Sequence, residues 1–328
     1  MPRDRSPGLP ENPPPEGASR AALAAAFADR LGGFSVVLEI VPPHRRVGAK
    51  GTERFLERIR AAVDELPKLD ALNIPEVVDE NRVGRPYYRH IDPRRFASAL
   101  NNGLHVETIV NKVVVHLQDV DQLRAYLAES LDAYGLRNFV LAGGSSGRHA
   151  YSGPDVITAN EILRGLARGR TDVTCGNILI PDRPGEVDRL LRKTRAGCRF
   201  FTTQVLFQAE PIASVLRAYG EACAAAGMRP ASVLLSFTPV TDRADVELLG
   251  WLGAAIPRDA EAALLSRDDG EKSLEFARSV WCQIRDSLKA AKQHVPLGVN
   301  VEEISAHNFD LAVRMAQEAP SWRDAASA

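Results

Sequence analysis

Short apolar runs alternate along this chain with longer segments whose apolar residues recur every three to four positions. The runs have the length of buried strands, and the segments between them have the spacing of amphipathic helices. The predicted strands are 34–41, 69–74, 104–110, 138–141, 173–180, 199–207, 232–237 and 296–301. The predicted helices are 18–31, 52–66, 93–100, 117–134, 154–167, 186–196, 211–226, 242–252, 272–292 and 306–319.

Strands and helices that alternate in this way predict an α/β fold, a (β/α)8 TIM barrel, because such a barrel closes a parallel sheet without exposed edges. The alternative is an open doubly wound sheet. That fold favours a glycine-rich turn after the first strand, whereas this chain has Pro42-Pro43-His44-Arg45 there.

The pattern predicts a single domain, the catalytic barrel, over residues 31–319. Residues 1–30 are predicted to be a flexible tail followed by a short lead-in helix, because residues 1–17 are rich in proline and charge and hold too little apolar area to offset ordering. Residues 320–328 are predicted to be a C-terminal tail. A chain of 328 residues is long enough to bury a full core.

Composition argues against several classes of protein. The formal net charge is −1 and basic residues are interleaved with acidic ones, so neither nucleic acid nor an anionic membrane is an expected partner. No run reaches the roughly 18 apolar residues of a membrane span, and no secretory signal is evident, so a cytoplasmic location is expected. The cysteines are scattered and are predicted to be free thiols, and the histidines show no metal-ligand spacing. The oligomeric state stays open, with a homo-oligomer among the alternatives.

Polar side chains at the carboxyl ends of the predicted strands form the candidate site, because a parallel barrel binds its ligands there. Glu39 lies in an apolar run, where burial raises the pKa of a carboxyl group and suits it to proton transfer near neutral pH. Gln204 ends the sixth predicted strand and could orient a planar heterocycle. These two are the predicted catalytic residues. The alternatives are that Glu39 pairs with a basic residue such as Lys112 and that Gln204 is a satisfied core amide.

Other residues near the strand ends are assigned to substrate or cofactor. The predicted substrate-binding residues are Asn73, Glu76, Asn111, Gln204 and Phe237. The predicted cofactor-binding residues are Lys112, Gly143, Gly144, Ser145 and Asn177. Four further polar residues fall at strand ends without an assigned role, namely Ser236, Asn300, Glu302 and Glu303. Ordinary structural roles are the alternatives: turn asparagines, a surface lysine, a flexible glycine loop and a core phenylalanine.

Several short motifs resemble the methylenetetrahydrofolate reductase family over about residues 36–308. Residues 38–43, Leu-Glu-Ile-Val-Pro-Pro, resemble its opening strand, and residues 192–204 resemble its Lys…Ala-Gly-Ala…Thr-Gln segment. Residues 178–181, 234–237 and 296–299 are similar to a divergent, flavin-independent actinobacterial branch. The family's Arg-Gly-Asp is replaced here by Ala142-Gly143-Gly144.

The resemblance implies reduction of 5,10-methylenetetrahydrofolate to 5-methyltetrahydrofolate by hydride from NADH or NADPH, and therefore a role in one-carbon metabolism and methionine biosynthesis. It implies that Glu39 protonates N10, with Glu76, Asp79 and Glu80 as alternatives, and that Gln204 orients the pterin. The altered glycine segment favours an oxidoreductase without flavin. An FAD-dependent reductase and a non-catalytic folate-binding barrel that acts as a partner subunit are the rival hypotheses.

Overall fold

The computed structural model describes residues 17–81, 84–144, 151–266, 270–305 and 307–325. The strands are β1 (Val36–Glu39), β2 (Ala71–Ile74), β3 (Asp79–Glu80), β4 (Pro86–Tyr87), β5 (Glu107–Val113), β6 (Asn138–Ala142), β7 (Thr174–Leu179), β8 (Phe200–Val205), β9 (Ser232–Phe237) and β10 (Leu297–Glu302). Eight of them form a closed barrel in the order β1, β10, β9, β8, β7, β6, β5, β2. The pairs β1–β10, β10–β9, β9–β8, β7–β6, β6–β5 and β5–β2 are parallel. The predicted (β/α)8 barrel is therefore confirmed.

Helices separate the barrel strands. They are α1 (Gly17–Arg30), α2 (Gly48–Asp64), α3 (Pro93–Asn101), α4 (Val120–Asp132), α5 (Val156–Leu166), α6 (Glu186–Arg195), α7 (Glu210–Ala225), α8 (Arg243–Trp251), α9 (Arg258–Leu264), α10 (Glu271–Ala290) and α11 (Phe309–Trp322). Short 3₁₀ turns cover Arg45–Val47 and Val114–His116. Within the described ranges, no helix has both the length and the apolar character that crossing a membrane requires.

Aspartate caps fix where several helices begin. Asp92, Asp119 and Asp155 precede α3, α4 and α5, and each side chain accepts a hydrogen bond from a backbone N–H two or three residues later. Such a cap satisfies one of the donors that the first helical turn leaves unpaired. The cap at Asp119 explains why α4 begins at Val120 rather than at the predicted position 117.

The chain divides into two compact units. The first unit includes Ile40–Asn177 and contains β2 to β6 and most of β7. The second unit includes Arg30–Glu39 and Arg199–Ala328, and it contains β1, β8, β9 and β10.

In the first unit, strand register sorts side chains into two faces. The hydroxyl of Thr108 donates to Asn101 of α3, so Thr108 faces the helices. Because side chains alternate along a strand, Lys112 also faces the helices and Asn111 points to the opposite, inner face. Asn73 pairs in register with Ile109, which also lies on that inner face.

In the second unit, Phe237 faces the helices, since its ring meets Trp322 of α11 edge-on with centroids 5.8 Å apart. The neighbouring Ser236 therefore points to the inner face, and it pairs in register with Asn300. Glu302 lies two residues after Asn300 on the same face and pairs with Glu39. Alternation thus places four polar side chains on the inner face of three neighbouring strands.

Several boundaries differ from the predictions. β5 ends at Val113, so Asn111 and Lys112 lie within the strand rather than after it. The hairpin of β3 and β4 lies in a segment predicted to be a polar loop, and α9 was not predicted. Strands of two residues are too short to leave a periodic signal. The last helix continues to the buried Trp322, beyond the predicted end at 319.

Candidate functional site

Two carboxyl groups lie side by side at the inner face of the second unit. Glu39 ends β1, Glu302 ends β10, and the two are register partners. Neighbouring strands lie about 5 Å apart, so side chains at paired positions are in reach of one another. Both residues are half-buried. The backbone oxygen of Glu39 also accepts a hydrogen bond of 3.1 Å from the N–H of Glu303.

Glu302 has the environment of a neutral-pH acid. Burial raises the pKa of its carboxyl group from 4.5 to about 7, against the opposing effect of hydrogen bonds from Ser236 and Asn300. The Asn300 amide donates to Oε1 of Glu302 at 3.2 Å and to the hydroxyl oxygen of Ser236 at 3.1 Å. The amide oxygen of Asn300 is buried and has no hydrogen-bond partner within the described residues. This group can therefore exchange protons and accept hydrogen bonds near pH 7.

Gln204, a predicted catalytic residue, lies near the end of β8 and is half-buried. Its amide donates a long hydrogen bond of 3.4 Å to the backbone oxygen of Leu252. The preceding residue, Trp251, ends α8 with 73% of its surface exposed. The register of β8 against β9 shifts between Thr202 and Val205, and such a bulge changes the direction in which side chains point.

Two predicted substrate-binding residues lie on the inner face of the first unit. Asn73 is fully buried in β2, and its backbone oxygen accepts from the N–H of Ile40 at 2.9 Å. Asn111 is half-buried in β5, and its amide oxygen is buried with no hydrogen-bond partner in the described ranges. Buried amide oxygens in native proteins are nearly always paired, so the Asn111 oxygen marks a place that a ligand or water would complete.

Glu76 and Lys112 form an ion pair on the helix-facing side. The Lys112 ammonium donates to Oε1 of Glu76 at 2.6 Å, and only 1% of the lysine side chain is exposed. The other Glu76 oxygen accepts from the backbone N–H of Val113 at 2.8 Å. The ammonium also lies 5.0 Å and 5.5 Å from the ring centres of Tyr126 and Tyr88. Glu76 and Lys112, which the sequence assigns to substrate and cofactor, thus have partners within the protein.

Asn177 and Phe237 also contact helices. The Asn177 amide donates to the side-chain oxygen of Asn160 in α5 at 3.0 Å and to the backbone oxygen of Leu141 at 2.9 Å. Phe237 packs against Trp322, as described for the second unit. Their roles as cofactor and substrate contacts stay predictions, and their observed contacts are those of packing residues.

The glycine segment lies beside a tyrosine. A Cβ atom on Gly144 would come within 2.1 Å of the Tyr151 ring, whereas at Gly143 the nearest atom, on Val156, is 3.7 Å away. Gly144 therefore has a steric reason to lack a side chain, independent of any cofactor. Ser145 lies outside the described residues.

The alternative acids lie on the β3–β4 hairpin. Asp79 forms an ion pair of 3.2 Å with Arg89. Glu80 contacts Nε2 of His116 at 2.8 Å and accepts a hydrogen bond from the Tyr151 hydroxyl at 2.9 Å. The sequence offers no signal for this cluster, because the hairpin is not predicted and the partners lie far apart along the chain.

One group of ligand-type side chains, Asp242, Asp245 and His307, lies close enough together to hold a metal ion. Asp245 is buried, and it accepts hydrogen bonds from the backbone N–H and the hydroxyl of Thr241 at 2.8 Å and 2.7 Å. Asp242 caps α8 through the N–H of Asp245. These contacts are those of a helix-capping network.

Comparison with known proteins gives structural likeness alone. No protein-family model and no curated protein matches the chain. A solved structure of an uncharacterised protein from Clostridium thermocellum, which binds two copies of 5-methyl-5,6,7,8-tetrahydrofolic acid, is 19% identical with a TM-score of 0.71 and covers 90% of this chain and 98% of its own. An oxaloacetate acetylhydrolase is 11% identical with a TM-score of 0.51, covering 93% of this chain and 86% of its own. A putative lyase/mutase from Burkholderia cenocepacia J2315 is 13% identical with a TM-score of 0.50, covering 94% and 90%.

These findings contradict the resemblance to methylenetetrahydrofolate reductases and the assignment as an NAD(P)H oxidoreductase. The similar enzymes are a hydrolase and a lyase/mutase, and no family model supports a reductase. The motifs behind the resemblance have structural roles: Phe201 packs edge-on against Tyr219, and the amide of Gln204 turns towards Leu252. NADH, NADPH and FAD stay untested predictions that rested on that assignment.

Proposed function

We propose that this chain binds a reduced folate and that the acid pair Glu39–Glu302 holds its pterin ring. The likeness in fold to a protein that binds 5-methyltetrahydrofolate supports the choice of ligand. The residues that support the choice of site are the paired carboxyl groups and the unpartnered amide oxygen of Asn300.

The hydrogen-bond donors of a reduced pterin match the acceptors of the carboxyl pair. A reduced pterin presents adjacent N–H donors, the 2-amino group and N3–H, along one edge of a planar ring. A carboxylate can accept both donors at once, and charge-assisted hydrogen bonds of this kind are about twice as strong as neutral ones. A carboxyl group with a pKa of about 7 also exists partly in its protonated form at neutral pH, in which it can donate to a ring nitrogen or oxygen.

The Asn300 oxygen provides a further acceptor beside the carboxyl pair. It is buried, and its own amide N–H groups are directed at Ser236 and Glu302. A ligand N–H placed against it would satisfy an atom that is otherwise left unpaired. The observation that carries the proposal is this combination of an acid pair and an unsatisfied acceptor on one inner face.

Isothermal titration with 5-methyltetrahydrofolate at pH 7 tests the proposal. We expect binding to the wild-type chain, and a loss of about tenfold to a hundredfold in affinity for Glu302→Gln, since a hydrogen bond to a charged group contributes about 1.5–3 kcal/mol. Glu247→Gln, the same change at an exposed glutamate of α8, is the matched control and should bind like the wild type. Equal affinity for Glu302→Gln and the wild type would reject this site, and absence of heat at millimolar ligand would reject the function.

A competition experiment tests which part of the ligand is held. A pterin without the aminobenzoyl-glutamate tail should displace 5-methyltetrahydrofolate, whereas aminobenzoyl-glutamate alone should not, because the acceptors described here match the pterin edge. The reverse result would place the tail, rather than the ring, against the acid pair.

A further inference from the structure

A second polar cluster, which the folate proposal does not use, lies in the first unit. Nε2 of His116 lies 2.8 Å from one oxygen of Glu80, and the Tyr151 hydroxyl donates to the other oxygen at 2.9 Å. The His116 and Tyr151 rings meet edge-on with centroids 5.9 Å apart. The His116 side chain is 1% exposed and the Glu80 side chain 11%. One carboxylate therefore contacts both a buried imidazole and a half-buried tyrosine.

This geometry defines which nitrogen of the imidazole carries the proton. A carboxylate is an acceptor only, so the Nε2 atom beside Glu80 must be protonated. In the neutral imidazole the lone pair then resides on Nδ1, which becomes an acceptor. The tautomer of His116 is thus fixed by the contact that Glu80 makes.

The Nδ1 atom of His116 is buried and has no hydrogen-bond partner among the residues that the structure describes. Such unsatisfied atoms are rare in native proteins and require an explanation. A metal ion is one candidate, because metal-bound histidines commonly donate their second nitrogen to a carboxylate. Within the described ranges, however, the group with metal-ligand spacing does not include His116. The other kind of partner that would satisfy this atom is a hydrogen-bond donor, from a ligand or from an ordered water.

A second acceptor lies on the same polypeptide segment. His116 ends the 3₁₀ turn that directly follows β5, and Asn111 lies in the second half of that strand. The amide oxygen of Asn111 is also buried and has no hydrogen-bond partner in the described ranges. Each atom is an acceptor, so a group that completed either of them would present an N–H or O–H.

We propose that His116 is a ligand-binding residue and that its Nδ1 atom accepts a hydrogen bond from an N–H or O–H group of the bound ligand. Glu80 fixes the tautomer, and Tyr151 holds Glu80 in place. The inference rests on the proposed function, because it takes the ligand to be a reduced folate, a class of molecule that carries several N–H donors.

Nuclear magnetic resonance of protein labelled with ¹⁵N in its histidines tests the tautomer first. We expect the free protein to show His116 with its proton on Nε2, assigned by comparison with His116→Phe. Saturation with 5-methyltetrahydrofolate should then move the Nδ1 resonance in the direction of hydrogen-bond acceptance. A proton on Nδ1 in the free protein, or an unchanged Nδ1 resonance in the saturated complex, would overturn the inference.

Affinity measurements supply the second test. His116→Phe keeps a planar ring but removes the acceptor, and we expect it to weaken binding of 5-methyltetrahydrofolate about tenfold. His294→Phe, the same change at an exposed histidine, is the control and should bind like the wild type. Tyr151→Phe should show a smaller loss, with a His116 resonance broadened or shifted in the free state.

The two proposals fail in different ways. A wild-type chain that gives no heat with 5-methyltetrahydrofolate would overturn both. A wild-type chain that binds, with Glu302→Gln weakened and a correctly folded His116→Phe unaffected, would overturn this inference alone. Thermal unfolding monitored by circular dichroism establishes that each variant is folded.

Discussion

Buried polar groups on the two faces of the barrel strands differ in whether they have hydrogen-bond partners from the protein. On the helix-facing side, Lys112 and Asn177 have charged or amide partners from the protein itself. On the inner side, the amide oxygens of Asn111 and Asn300 are buried with no hydrogen-bond partner in the described residues. Burial and polarity alone therefore do not identify a ligand contact in this chain. The presence or absence of a protein partner separates the two groups.

The helix-facing side is not free of unpaired atoms, since the hydroxyl groups of Tyr88 and Tyr126 also have no partner in the described ranges. Both rings, however, lie within 5.5 Å of the Lys112 ammonium. An ammonium close to an aromatic ring is attracted by the ring's electron density. These tyrosines therefore have a packing role that the inner asparagine oxygens lack.

The largest effect that distinguishes the two faces is expected at the buried ion pair. Glu76→Ala leaves the Lys112 ammonium without its counter-charge, and we expect the free energy of unfolding to fall by about 3–5 kcal/mol in urea titrations. Replacing both residues by apolar ones, Glu76→Leu with Lys112→Met, should recover most of that loss. A decrease below about 1 kcal/mol for Glu76→Ala would show that water reaches the pair.

A smaller loss of stability is expected at Asn177. Asn177→Ala removes the donor to Asn160 and Leu141, and an unsatisfied buried group costs about 1–3 kcal/mol. The affinity for 5-methyltetrahydrofolate should stay within twofold of the wild type in titration calorimetry, because the side chain faces α5. A large loss of affinity with little loss of stability would instead indicate that Asn177 contacts the ligand.

The pH dependence of stability tests the inner face. The pKa of Glu302 is about 7 in the folded chain and about 4.5 when unfolded, so the native state binds more protons between these values. Its contribution to stability is complete below about pH 4.5 and is lost as the pH rises through 7. We expect the free energies of unfolding of the wild type and Glu302→Gln, measured by urea titration, to diverge by about 2–3 kcal/mol between pH 5 and pH 8, with Glu302→Gln the less sensitive to pH. Glu247→Gln should keep the wild-type slope, and parallel curves for all three proteins would contradict the assignment.

The smallest effect on stability is expected at Trp251. This side chain is 73% exposed, whereas Trp281 and Trp322 are buried. Trp251→Phe should therefore change the free energy of unfolding by less than about 0.5 kcal/mol. It should also remove most of the tryptophan fluorescence that acrylamide quenches, because acrylamide reaches exposed side chains first. Undiminished quenching in the variant would mean that a buried tryptophan becomes accessible in solution.

The fold is readable from the sequence because its strands are short, apolar and separated by helices. The faces of the strands are not readable, because both faces of a covered parallel sheet are buried. All six residues of β9 are buried, so no alternation of apolar and polar residues shows which way Ser236 and Phe237 point. Asn111 is predicted to bind substrate and Lys112 to bind cofactor, so both are placed at the site, yet adjacent strand residues must point to opposite faces.

The site could be predicted only in part for the same reason. Glu39 is recognisable as an acid in an apolar run, and the structure adds its register partner Glu302, whose raised pKa depends on burial that no short motif encodes. The reductase assignment drew on segments such as 38–43 and 192–204, whose prolines and aromatic residues also suit the ends of barrel strands in general. Glu80 reaches His116 from a hairpin whose strands are two residues long, too short to leave a periodic pattern in the sequence.

The close approach of Gly144 to Tyr151 allows the position of the tyrosine ring to be changed without changing any charged group. A methyl group at position 144 would overlap the tyrosine ring, with 2.1 Å to its nearest carbon and 2.7 Å to its hydroxyl oxygen. Gly144→Ala should therefore displace the ring while every ionisable group of the chain is retained. The added methyl group would thus break the hydrogen bond from the Tyr151 hydroxyl to Glu80. The substitution removes no functional group, because glycine has no side chain.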